Sequence, residues 1–86
     1  MLNGVKIEVG QVFRMEGEGK TRAFADVVIG DVLLVKGLRI VSGKKGLFVS
    51  MPRRQGKDGT WYETVRPLTR EVREELSEIV LTAYGT

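Results

Sequence analysis

The sequence predicts an α+β domain: an antiparallel meander of about five or six short strands, followed by one C-terminal amphipathic helix. Three observations carry this. Up to Val65, apolar residues recur in short stretches with a period of two. Polar clusters containing glycine separate those stretches. Beyond Pro67 the apolar period lengthens to that of a helix. With 86 residues, 42% of them apolar and 29% charged, the chain reads as a single soluble domain spanning residues 1–86.

The first strand opens at Val5, where Val5, Ile7 and Val9 alternate with Lys6, Glu8 and Gly10. The pattern slips before Val12 and Phe13, which predicts a bulge near Gly10. Glu16-Gly17-Glu18-Gly19-Lys20 is a turn. Thr21 to Ile29 forms the antiparallel partner, with Ala23, Ala25, Val27 and Ile29 on one face and Phe24, Asp26 and Val28 on the other. Gly30-Asp31 reads as a two-residue hairpin turn of type II′, because glycine takes its first central position.

The unbroken run Val32-Leu33-Leu34-Val35 predicts a strand covered on both sides. Lys36-Gly37 interrupts it, and Leu38-Arg39-Ile40-Val41 resumes as a fourth strand. A second glycine-bracketed turn at Ser42–Gly46 leads into Leu47–Met51, which Pro52 ends for lack of an amide donor. Arg53 to Gly59 reads as a polar loop, and Trp61–Val65 as a short strand returning from it. In the last segment, Val72, Leu76, Ile79, Val80 and Ala83 make one helical stripe. Thr69 is placed as its N-cap and Gly85 as its end.

Composition excludes much chemistry. The chain has neither cysteine nor histidine, so it offers no disulfide, thiolate zinc site, cysteine nucleophile or histidine-based triad. Its glycines do not form a phosphate-cradling motif, and no acidic spacing resembles an oxygen-ligand metal loop. Glu71, Glu74, Glu75 and Glu78 lie off the helix stripe and read as a solvated face. No enzyme activity, metal, cofactor or small-molecule substrate is expected. Without an apolar run of membrane length or a recognisable signal segment, the expected location is the cytoplasm, away from membranes.

The net charge of +3 conceals a segregation. Residues 1–31 hold four bases and five acids, residues 32–57 seven bases and no acid, and residues 58–86 three bases and six acids. A +7 segment between mildly acidic ends points to an anionic partner such as nucleic acid. Lys44 and Lys45 occupy one turn. Arg53, Arg54 and Lys57 form a second cluster after Pro52, about 15–20 Å away along the intervening strand. Adjacent arginines suit bidentate phosphate contact, while the competing reading is that these bases only solubilise loops and protect edges. Arg39 reads as a structural ion-pair partner. Trp61 and Tyr62 alternate on a strand, which places one in the core and the other in cross-strand or interface packing, ahead of base stacking.

The stretch Gly46-Leu47-Phe48-Val49-Ser50-Met51-Pro52, followed by Asp58-Gly59 and Pro67, resembles the stage V sporulation protein G (SpoVG) family, small bacterial septation regulators. Arg22-Ala23, Arg39 with Val41 and Gly43, and the closing helix extend the similarity over about residues 5–84. The resemblance implies a small α+β fold and a homodimer built partly by strand exchange or pairing. It also implies site-preferring binding to DNA and sometimes RNA, a role in gene expression and cell division, and no catalysis. By position, the family's serine after Met-Pro falls on Arg53, and its two basic residues fall on Arg54 and Gln55. Its histidine before proline falls on Arg66, which adds charge nearby.

The leading expectation is therefore a cytoplasmic, homodimeric nucleic-acid-binding regulator. It would contact phosphate through Arg53, Arg54 and Lys57, with Lys44, Lys45 and Arg66 in support. The competing expectation is an adaptor at the division machinery that uses its sheet edge or acidic helix face. That acidic face would repel phosphate, which argues against a major-groove recognition helix.

Overall fold

Alternating side chains pair into four consecutive antiparallel strands, β1 (Ile7–Arg14), β2 (Thr21–Ile29), β3 (Leu33–Gly43) and β4 (Gly46–Ser50), in the sheet order β1-β2-β3-β4. The computed structural model describes residues 4–85. A separate two-stranded hairpin follows, β5 (Arg53–Gln55) with β6 (Trp61–Glu63), and helix α1 (Arg70–Tyr84) ends the chain. The predicted α+β meander with one C-terminal helix is the observed architecture.

Period two decides what each face of the sheet does. Ala23, Ala25 and Val27 of β2, Leu38 and Ile40 of β3, and Val49 of β4 are buried against Leu76 and Val80 of the helix, with Met51 sealing the end. The small alanines let the helix approach closely, and the larger β3 residues fill the space beside them. On the helix, Val72, Leu81 and Tyr84 flank this core, whereas Ile79 and Ala83 of the predicted stripe lie outside it. The stripe is rotated slightly toward Leu81 and Tyr84. Arg14 fastens that end by donating to the Tyr84 carbonyl, with its guanidinium 4.4 Å from the centre of the Tyr84 ring. Thr69 caps the helix as predicted, accepting from the Val72 amide at 3.2 Å. Gly85 ends it in right-handed geometry, donating to Leu81, so its freedom to take positive φ goes unused.

The opposite face of the sheet is uncovered. Phe13, Phe24 and Arg39 stand side by side on β1, β2 and β3, and Phe48 stands on the same face of β4. Phe13 and Phe48 are 45% and 49% exposed.

Several local expectations change. The register slips between Val9 and Gln11, so Gly10 is the predicted bulge. Gly30 and Asp31 both take positive φ, 58° and 59°, which is the type I′ pattern instead of II′. The run Val32–Val35 is not covered on both sides, since Val32, Leu33 and Leu34 are all more than half exposed. The interruption at Lys36-Gly37 does not end a strand. It is a bulge inside one continuous β3, where Gly37 adopts φ 89° and its amide donates to the buried Asp26 at 3.4 Å. Arg53–Gln55, expected as loop, is strand β5, because each of its residues finds a partner across the hairpin.

Candidate nucleic-acid interface

The seven bases of residues 32–57 occupy one connected part of the fold. Lys36 sits on the β3 bulge and Arg39 on the uncovered sheet face. Lys44 and Lys45 form the tip of β3–β4, Arg53 and Arg54 belong to β5, and Lys57 lies at the tip of β5–β6. Among the described residues, none of the seven is in an ion pair.

Among the described residues, the bases nearer the ends divide: Arg14, Lys20 and Arg22 are in no ion pair, and the other four are. Lys6 pairs with Glu8 at 2.7 Å and Asp31 at 3.7 Å, which raises its pKa, chiefly through the Glu8 contact. Arg70 pairs with Glu74, and Arg73 grips Glu63 through two hydrogen bonds at 3.1 and 3.2 Å. Those two bonds, with the charge of Arg73 and Arg66 behind them, hold the Glu63 carboxyl below the ordinary carboxylate range. Arg66, a candidate contact residue, is 3.6 Å from Glu63, so its charge is already partly answered within the chain.

The hairpin separates the two neighbouring arginines. Arg53 pairs with Glu63, Arg54 with Tyr62 and Gln55 with Trp61. Alternation therefore places Arg53 and Trp61 on one face and Arg54 and Tyr62 on the other. The turn holding this arrangement is closely tied. The Gly56 amide donates to Thr60, the Asp58 carboxylate accepts from the Thr60 amide at 3.0 Å, and the Tyr62 hydroxyl donates to Asp58 at 2.7 Å. The Tyr62 bond is the main cause of a lowered Asp58 pKa. The Tyr62 ring lies so close over Gly56 that a Cβ there would meet it at 2.8 Å, which requires glycine at that position. At the base of the hairpin, the Pro52 carbonyl accepts from both the amide and the hydroxyl of Thr64.

Between the hairpin and the uncovered sheet face lies a cleft of about 560 Å³. Phe24, Lys36, Gly37 and Arg39 line it from the sheet, and Pro52, Arg53 and Trp61 from the hairpin. No carboxylate is among these residues. Two sequence expectations fail here. One of Trp61 and Tyr62 was expected in the core, but both are more than half exposed, and Trp61 lines this cleft, because β6 pairs only with β5 and lies outside the four-stranded sheet. Arg39 is not an ion-pair partner: its neighbours across the sheet are Phe24 and Ser50. Lys36 and Arg39 were absent from the predicted contact set. The signal that could have found them was the lack of any acid between residues 32 and 57 to neutralise them.

The SpoVG family profile matches residues 5–86. The chain belongs to the SpoVG family. A relative from Archaeoglobus fulgidus, named "Putative septation protein SpoVG", is 40% identical, with 86% of this chain and 87% of the relative covered. A protein of the same name from Symbiobacterium thermophilum is 45% identical over 93% of this chain, which spans 57% of that longer relative. One from Lachnospira eligens is 36% identical, covering 86% of this chain and 84% of the relative. Among the described residues, no helix is long and apolar enough to cross a membrane.

Proposed function

We propose that this SpoVG-family chain is a non-enzymatic, nucleic-acid-binding regulator linked to septation, acting in the cytoplasm on gene expression and cell division. One observation carries the reading: the seven bases of residues 32–57 form no ion pair among the described residues, whereas Lys6, Arg66, Arg70 and Arg73 do. Unanswered cations held on a folded sheet and a tied hairpin are pre-positioned for an external anion. Repeating phosphates supply such an anion. The septation link comes from the names of the relatives. A homodimer would double the basic surface. The open edge strands β1 and β4 and the exposed Leu68 at the start of the helix support such an assembly.

The test is fluorescence anisotropy with duplex DNA across a salt series. Log K is expected to fall with log salt by about 0.9 for each phosphate neutralised, several units in all. Replacing Arg53 and Arg54 by alanine flattens the slope by roughly 1–2 units, with the melting temperature unchanged. Absence of binding at low salt would refute the reading and leave an adaptor acting through the acidic helix face.

A further inference from the structure

We propose that the uncovered sheet face and its cleft form a platform for single-stranded nucleic acid, with unpaired bases stacking on Trp61 and Phe24 and phosphates held by Lys36, Arg39 and Arg53. This rests on the nucleic-acid reading above and goes further, because it names the strand state the protein selects.

Duplex binding through phosphates needs cations and no aromatic residue. Here the cations and the aromatic rings come together. Trp61 leaves more than half of its surface in water, on the hairpin face that also carries Arg53. Across the cleft stand Phe24, with Arg39 directly opposite it on β3 and Phe13 directly opposite on β1. Directly opposed side chains have Cβ atoms about 5 Å apart. Phe48 extends the same face two strands from Phe24, about 10 Å away, with its ring lying across Gly43.

Exposed apolar residues grouped on one face, unlike singly scattered ones, mark a contact surface. A cleft lined by two aromatic residues and three cations, with Asp26 bound to the Gly37 amide and Glu63 opposite Arg53 beside it but not in its lining, fits a ligand that has both flat apolar faces and negative charge. A nucleotide is such a ligand, and the volume of about 560 Å³ lies within the range of small-ligand clefts. In a duplex each base face is already stacked on its neighbours, so only an unpaired strand offers it to Trp61. An antiparallel four-stranded sheet with its helical layer behind and aromatic residues in front is a geometry that suits splayed bases. Gly37, in the β3 bulge, lines the cleft and leaves open space beside it.

Trp61 is the only tryptophan, so its emission reports on this cleft alone. The full chain is titrated with oligothymidylate and oligouridylate of about a dozen nucleotides, a length within single-strand site sizes, and with a duplex as the third arm. Both single strands are expected to quench the emission. Trp61→Ala weakens single-strand binding by about tenfold and changes duplex affinity less than twofold, while Trp61→Phe restores most of the loss. Arg39→Ala weakens single-strand binding in the same anisotropy assay, independently of the tryptophan signal.

A duplex that binds while single strands neither bind nor quench overturns the platform and leaves the phosphate reading standing. Failure of all three nucleic acids to bind removes both. Equal loss of duplex and single-strand affinity in Trp61→Ala overturns the stacking role, as does a change in oligomeric mass in that variant, which would make the cleft a contact between chains.

Discussion

Two parts of this small domain use the same residue types to opposite ends. In the frame formed by β6, the following loop and the helix, arginines face carboxylates: Glu63 alone engages Arg66 and Arg73 and so ties the hairpin to the helix across ten residues of sequence. In the segment from Lys36 to Lys57, seven bases are held on β3, the β3–β4 turn, β5 and the β5–β6 turn, with no ion pair to a carboxylate among the described residues. The difference lies in where the acids are. A charge answered within the chain contributes to the fold, and a charge left unanswered is available to a partner. Net charge cannot distinguish these uses, since both contribute equally to +3.

The largest expected effect comes from making matched charge changes in the two parts. Glu63→Lys places a third cation between Arg66 and Arg73, where the Glu63 side chain is only 23% exposed. Thermal or denaturant unfolding should show a loss of about 1–3 kcal/mol. Arg54→Glu, on an exposed hairpin strand with no internal partner, should change stability by less than about 0.5 kcal/mol and weaken nucleic-acid binding instead. Equal destabilisation by both would erase the distinction between frame and binding surface.

The next effect is a pH dependence of the frame. The Glu63 pKa is lowered in the folded chain, first by its hydrogen bonds to Arg73. A lowered folded pKa means that the unfolded chain binds this proton more readily. The stabilisation is therefore complete above the ordinary value of 4.5 and is lost as pH falls below it. Denaturation midpoints measured from neutral pH into this acid range should fall more steeply for the wild type than for Arg73→Ala, which has already lost the pair. Binding should show no matching midpoint near neutrality, because the chain has no histidine. A binding transition between about pH 6 and 8 would show that the surface depends on a perturbed group.

The legible and illegible parts of the sequence divide along the same boundary. Period two placed Ala23, Ala25 and Val27 on a buried face, period 3.6 found the helix, and Gly10 and Thr69 stood where a bulge and a cap require them. These features rest on local rules. The run Val32–Val35 was misread because an unbroken apolar stretch does not reveal whether anything covers it, and at the end of β3 little does. β5 was missed because Arg53-Arg54-Gln55 has no apolar pattern and is extended only through its pairing with β6. One of Trp61 and Tyr62 was expected in a core that the hairpin does not possess, and both are more than half exposed. The site was legible as charge and illegible as geometry: Arg53, Arg54 and Lys57 could be singled out, but not the joining of Arg53 to Trp61, Phe24 and Arg39 in one cleft.

The smallest effect compares the two ends of the unpaired segment itself. Lys44 and Lys45 form the exposed tip of β3–β4, at the far end of β4 from Pro52 and Arg53, and they do not line the cleft. Their removal as Lys44→Ala with Lys45→Ala should therefore lower the duplex salt slope by less than about one unit, a smaller change than for the arginine pair. Single-strand quenching of Trp61 should be unaffected. Lysine at an exposed tip loses more side-chain freedom on contact than an arginine on a paired strand, and it offers no planar fork to a phosphate. A slope change as large as that from Arg53 and Arg54 would mean that the nucleic acid lies along the whole length of β4. The binding surface would then be the edge of the sheet, with the cleft at one end of it.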